Sequence, residues 1–131
     1  MQYELMKSRL MYVELKSGFN DDGPAWIGMA SFSKTGRTIY FNGRAFQSGS
    51  LIGGNHYELG SGEVYWISGV KKDGADRHWA GSGKIKIDKA VISKYLAIIK
   101  EDELPKNKFE VVELNNIPPK ELVHEITNRK V

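Results

Sequence analysis

The sequence predicts an α+β protein, mainly β: a small antiparallel SH3-like β-barrel capped by a helix, with a C-terminal β–α tail. Three observations carry that prediction. All 14 glycines lie between Gly18 and Gly83, where aromatic and β-branched runs are broken every few positions by turn residues. That is the pattern of short strands joined tightly. No glycine follows Gly83, and there the apolar residues take up helical spacing. The length of 131 residues suits one domain, and closing its sheet into a barrel leaves no sticky edge. Residues 1–100 are read as the barrel with its capping helix. Residues 101–131 are the tail, packing on the barrel or on a second subunit.

The first strand is Leu10 to Lys16, where Met11, Val13 and Leu15 alternate against Tyr12, Glu14 and Lys16. Asn20-Asp21-Asp22-Gly23-Pro24 ends it, because Asn and Asp bond local backbone and Pro24 has no N–H for a ladder. Trp26 to Ser33 and Arg37 to Gln47 form a hairpin around Lys34-Thr35-Gly36, with a bulge at Gly36. In the second arm Ile39, Phe41 and Ala45 share one face, and Tyr40, Asn42, Arg44 and Phe46 the other. Ser48 to Asn55 reads as a Gly/Ser-rich loop. Asn55 to Leu59 and Glu63 to Lys71 are two further strands, joined through Gly60-Ser61-Gly62. Lys72 to Asp76 is a turn, from which Arg77 to Ala80 returns as the sixth strand.

Lys84 to Ile87 supplies one more strand, and Asp88 is the N-cap of a helix running to Lys100. Val91, Ile92, Tyr95, Leu96 and Ile99 make its apolar stripe, expected to cover an open end of the barrel. In the tail, Phe109 to Leu114 alternates as a strand. Pro118-Pro119 then opens a last helix carrying Leu122, Val123 and Ile126.

Composition narrows the chemistry. There is no cysteine, which removes disulfides, thiolate metal sites and thiol nucleophiles. Apolar stretches fall well short of the ~20 residues of a membrane helix, and Glu4, Lys7, Arg9 and Glu14 interrupt any signal-peptide core. The expected location is the cytoplasm, with no membrane partner. His56, His78 and His124 occupy no metal-binding spacing, so no metal and no cofactor are expected. Gly81-Ser82-Gly83-Lys84 fails the phosphate-loop pattern, since position 78 is His and Ile85 stands where Ser or Thr is needed. Asp76 and His78, two apart on a strand, share a face that could hold an acid–base pair with Ser82 as nucleophile. Turn chemistry explains the same residues more simply, and no catalytic residue is assigned.

Charge and rings are interleaved. Residues 31–100 hold 11 basic and 5 acidic side chains, a local excess of 11 − 5 = +6. If Val64, Trp66 and Val70 point inward, Tyr65 and Lys71 point outward, as do Tyr40 and Arg44. Small barrels bind single-stranded nucleic acid by stacking bases on surface rings while Lys and Arg track phosphates. The expected nucleic-acid-binding set is Arg44, Tyr65, Lys71, Lys72, Arg77 and Trp79. The competing explanation is that the rings simply fill a pleated core.

Two blocks are distinctive: Tyr12 to Phe46, and YWISGVKKDGADRHWAGSG from Tyr65 to Gly83. Over residues 11–100 they make the chain similar to a family of short, uncharacterised bacterial proteins. Members of that family begin near a segment matching Met11, which implies that residues 1–10 are an extension. Some members carry the label 1-deoxy-D-xylulose-5-phosphate synthase. That label does not fit, because the synthase is several-fold longer and binds thiamine diphosphate through a Gly-Asp-Gly motif that this sequence lacks. The resemblance implies a fold and no catalytic residues. Fold alone does not assign function. The sequence therefore points to a non-enzymatic binding module with nucleic acid as the favoured ligand. A protein-interaction or assembly element, with a protein partner or a homodimer, is the alternative. A small enzyme using Asp76, His78 and Ser82 ranks third.

Overall fold

The computed structural model describes residues 7–18, 23–77 and 83–115. Its strands are β1 (Ser8–Leu15), β2 (Ala25–Phe32), β3 (Thr38–Phe41), β4 (Arg44–Leu51), β5 (Gly54–Glu58), β6 (Val64–Gly69), β7 (Ile85–Asp88) and β8 (Phe109–Val112), with one helix, α1 (Ile92–Ile99), between the last two. Strands β1 to β6 close into an antiparallel barrel in the order β1-β6-β5-β4-β3-β2, with β2 returning to β1. β7 runs parallel to β2, and β8 parallel to β7. The expected class, a mainly β barrel with a capping helix, is the one observed.

Strand β2 is a fork. Its C-terminal residues Ser31 and Phe32 pair with β3, while Ala25, Trp26 and Ile27 pair with β7. Gly28 sits where the two partners diverge. A Cβ there would lie 2.6 Å from Leu114 Cδ1 and 3.2 Å from Phe41 Cε1, so any side chain would push Leu114 aside and crowd the Phe41 ring.

Alternation along β1 and β2 feeds two cores at once. Met11, Val13 and Ala30 point into the barrel with Ile39, Phe41, Phe46, Tyr65 and Ile67. Leu10, Tyr12, Ala25 and Ile27 point outward, where Ile85, Ile87, Val91, Tyr95 and Phe109 cover them. Asp88 caps the 3₁₀ turn that leads into α1, its Oδ1 accepting from the Ala90 N–H at 3.2 Å. The helix stripe thus lies over the flank formed by β1, β2 and β7, and not over an open end. That placement follows from the parallel β7, whose direction carries the chain back across the outside of the barrel.

Other expectations need correction. The arm Arg37 to Gln47 is two strands, because Asn42 and Gly43 take φ values of 51° and 74° and turn the chain. Both central residues at positive φ make the tight turn whose twist suits a hairpin. The Ser48–Asn55 loop is instead the end of β4, a turn at Ile52-Gly53, and the start of β5. Arg77 lies in a bend and not in a strand. Residues 78–80, the remainder of that expected strand, lie outside the described residues, as does the expected last helix.

Candidate nucleic-acid interface

The hairpin turn at Asn42-Gly43 places Arg44 at one mouth of the barrel. A shallow recess opens there, lined by Val13, Trp26, Phe41, Arg44, Phe46 and Tyr65, with room for about one water molecule. Its floor is aromatic: Phe46 and Tyr65 meet edge to face with ring centroids 4.9 Å apart. Asn42 braces the rim, its Oδ1 accepting from the Asn115 N–H at 2.8 Å.

One cation, Arg44, lines this recess, and a second, Lys86, stands over the Trp26 ring of its lining. Arg44 Nη1 donates to both oxygens of Glu58, at 2.9 and 3.1 Å, and half of its side chain is exposed. Glu58 is buried and also accepts from Ser61 Oγ at 2.7 Å. The hydrogen bond to Glu58 is the main cause that holds the Arg44 pKa above its ordinary value. Lys86 faces Trp26 across the parallel β2–β7 pair, its Nζ 5.9 Å from the ring centroid, within cation–π range.

The residues expected from sequence do not share one surface. Tyr65 is only 4% exposed and its ring is part of the barrel core; burial pushes its pKa up. Its neighbour Trp66 is the exposed ring, at 42%. The predicted facing of β6 is inverted, and Tyr40, expected outside, is buried as well. Arg77 is 3% exposed. Its Nη2 donates to the Gly23 carbonyl at 2.7 Å and its Nη1 lies 4.0 Å from Glu14 Oε1, so it ties the segment leading into β2 to β1. Lys71 and Lys72 are exposed, but they lie beyond the far end of β6. From Val64, beside the turn that Glu58 closes, the chain runs roughly 20 Å to reach them. Trp79 lies outside the described residues, as do His78 and Ser82, which the enzyme alternative requires.

Sequence reasoning missed Trp26 and Lys86 as neighbours. They are far apart in the chain and meet only through the parallel register of β7 on β2, for which no local pattern exists. It also missed a buried polar centre. Tyr12 donates its hydroxyl proton to Glu14 Oε1, Lys16 Nζ sits 2.9 Å from Glu14 Oε2, and Arg77 closes the group. Burial, reinforced by the Glu14 carboxylate, raises the Tyr12 pKa far above the ordinary phenol value.

Asn55 fixes the state of His56. The Asn55 amide spans the Ile67 backbone, Oδ1 accepting from its N–H and Nδ2 donating to its carbonyl, both at 2.8 Å. Oδ1 is therefore an acceptor toward His56 Nδ1 at 2.8 Å, and that nitrogen must carry the proton. Burial lowers the His56 pKa, favouring the neutral ring. Among the described residues no cluster of three His, Asp or Glu side chains could hold a metal ion, and no helix is long and apolar enough to cross a membrane. No known protein family, curated protein or solved structure matches the chain.

Proposed function

We propose that the protein is a non-enzymatic binding module whose ligand is single-stranded nucleic acid, engaged at the rim where Arg44 and Lys86 flank Trp26. The observation that supports this reading is that Trp26 shares the recess lining with Arg44 and carries Lys86 over its ring. The floor of the recess is filled by side chains, so a ligand lies across the rim and does not enter the barrel. Stacking on Trp26 accepts any base, and the cations take phosphates. Glu58 offsets part of the charge on Arg44, which makes the expected affinity modest. The footprint replaces Tyr65, Arg77 and the Lys71–Lys72 turn.

The test is titration of a labelled single-stranded oligonucleotide, read by anisotropy, at about 50 and 200 mM salt. Binding should weaken as salt rises. Arg44→Ala and Lys86→Ala should each weaken it and lower the slope of log affinity against log salt by about 1. Changing Lys71 and Lys72 together to Ala should leave that slope unchanged. Absence of binding at the lower salt, or binding indifferent to both rim substitutions, removes the reading.

A further inference from the structure

We propose that the single strand continues from the rim onto the strand pair β7–β8, where Lys84 and Lys108 form a second phosphate contact outside the barrel. This inference rests on the reading of the Trp26 rim as a nucleic-acid site and fixes the direction in which the ligand leaves it. Two directions are open. Past Arg44 lies the turn between β5 and β6, where Glu58 is held by Arg44 at 2.9 Å and Glu63 is exposed beyond it, so phosphates there would meet carboxylates. Past Trp26 lies Lys86, its partner in the parallel register of β2 and β7. Strand β8 then extends the sheet away from the barrel.

The core decides which face this extension presents. Ile85 and Ile87 of β7 and Phe109 of β8 are buried with Tyr95 of α1. Alternation sends the residues flanking them, Lys84, Lys86, Lys108 and Glu110, to the opposite face, the one that carries Trp26. Ile85 pairs with Phe109 and Lys86 with Glu110, and the Ile85 N–H donates to the Lys108 carbonyl at 2.9 Å. That register sets Lys84 beside Lys108, on strands about 4.8 Å apart. Both are exposed. Lys86, although opposite Glu110, places its ammonium 5.9 Å from the Trp26 ring centroid. The face therefore carries three lysines against one carboxylate, 3 − 1 = +2. Like charges directly opposite on paired strands are destabilising, and here the burial of Ile85 and Phe109 on the other face holds them together. A phosphate between the two ammonium groups relieves the repulsion and releases their counterions. The path thus leads from a base stacked on Trp26, past Lys86, to the Lys84–Lys108 pair.

Anisotropy titration of the full chain with a labelled oligothymidylate, at about 50 and 200 mM salt, tests the path. Changing Lys84 and Lys108 together to Ala is compared with changing Lys89 and Lys94 together to Ala. The second pair is also exposed and removes the same charge, but from α1 and the turn before it, which cover the opposite face. The first double variant should bind several-fold more weakly at the lower salt, with the slope of log affinity against log salt reduced by about 1–2. The second should leave that slope unchanged. Glu110→Lys adds a cation beside the path and should tighten binding. Without ligand, the Lys84 and Lys108 double variant should melt no lower than the unmodified protein, since it loses a repulsion. Equal effects of the two double variants, or no gain from Glu110→Lys, overturn the path, while continued dependence on Arg44 and Lys86 leaves the rim in place. Absence of binding by the unmodified protein removes the rim and the path together.

Discussion

Replacing Arg77 by Met separates a structural arginine from a phosphate-binding one. Arg77 is 3% exposed, and its guanidinium donates to the Gly23 carbonyl at 2.7 Å and stands 4.0 Å from Glu14 Oε1, while Glu14 is itself 4% exposed. Met fills much of the same volume and removes the charge. Glu14 keeps Lys16 at 2.9 Å and the Tyr12 hydroxyl, so its carboxylate is not wholly uncompensated. Breaking a buried pair by deleting one partner costs about 3–5 kcal/mol, and the remaining Lys16 contact places the expected loss near about 3 kcal/mol on that scale. Urea unfolding measures it. The partner substitution Glu14→Gln removes the second charge, so the double variant should lose less than the sum of the singles, with a coupling of about 1–3 kcal/mol. Oligonucleotide affinity, measured where the Arg77→Met variant remains folded, should be unchanged. A stability loss below about 1 kcal/mol, or strict additivity, would refute the assignment of Arg77 to the buried centre.

Two further outcomes test the barrel. At Gly54 a Cβ would meet the Tyr65 carbonyl oxygen and Val64 Cγ1, both at 2.5 Å. Because a backbone atom must yield, Gly54→Ala should cost about 1–3 kcal/mol in thermal or urea unfolding. Gly49→Ala meets nothing closer than 3.5 Å and should stay within about 0.5 kcal/mol; equal effects at the two sites would refute the close approach of β5 to β6. His56 is lowered from 6.5 by burial, so the unfolded chain takes up its proton first as pH falls. Stability held by the neutral ring is intact above 6.5 and lost as pH drops through the lower folded value. His56→Gln, whose amide can still donate to Asn55 Oδ1, should remove that part of the slope of melting temperature against pH. A slope that persists in the variant contradicts the buried neutral imidazole.

The elements were legible where local chemistry decides them. β1, β2, β6 and β8 follow apolar alternation, and Asp88 starts its helical segment because a carboxylate there satisfies an otherwise unpaired N–H. The Asn42-Gly43 turn was equally readable, since that dipeptide is the strongest short-range hairpin signal. It was overridden by continuous alternation on both sides, which makes Arg37 to Gln47 look like one strand. The Ser48–Asn55 segment misled for the opposite reason. Its Gly and Ser residues resemble a loop, yet cross-strand pairing of Ser48 with His56 and of Leu51 with Gly54 keeps it extended.

The candidate site was far less legible, and the cause is the double core. Parity along a strand separates core from solvent only when one face is wet. In β1 the five consecutive residues Leu10 to Glu14 carry no such contrast. All of them are buried, because one face fills the barrel and the other lies under α1 and β7. On β6 the contrast exists, but its phase is set by whether Tyr65 or Trp66 points inward, and size alone favours neither ring. The structure decides for Tyr65 through its contact with Phe46. That one-residue shift in phase moves every side chain of the strand to the other face. Lys71 and Lys72 escape the ambiguity, since both are exposed as expected, but Arg77 does not. A guanidinium with a carbonyl and a carboxylate to bond is as acceptable inside as outside. Cations read from sequence as a ligand-binding set are therefore secure only where no buried acceptor of the same fold competes for them. In this chain Gly23 and Glu14 claim Arg77, while Glu58 claims part of Arg44.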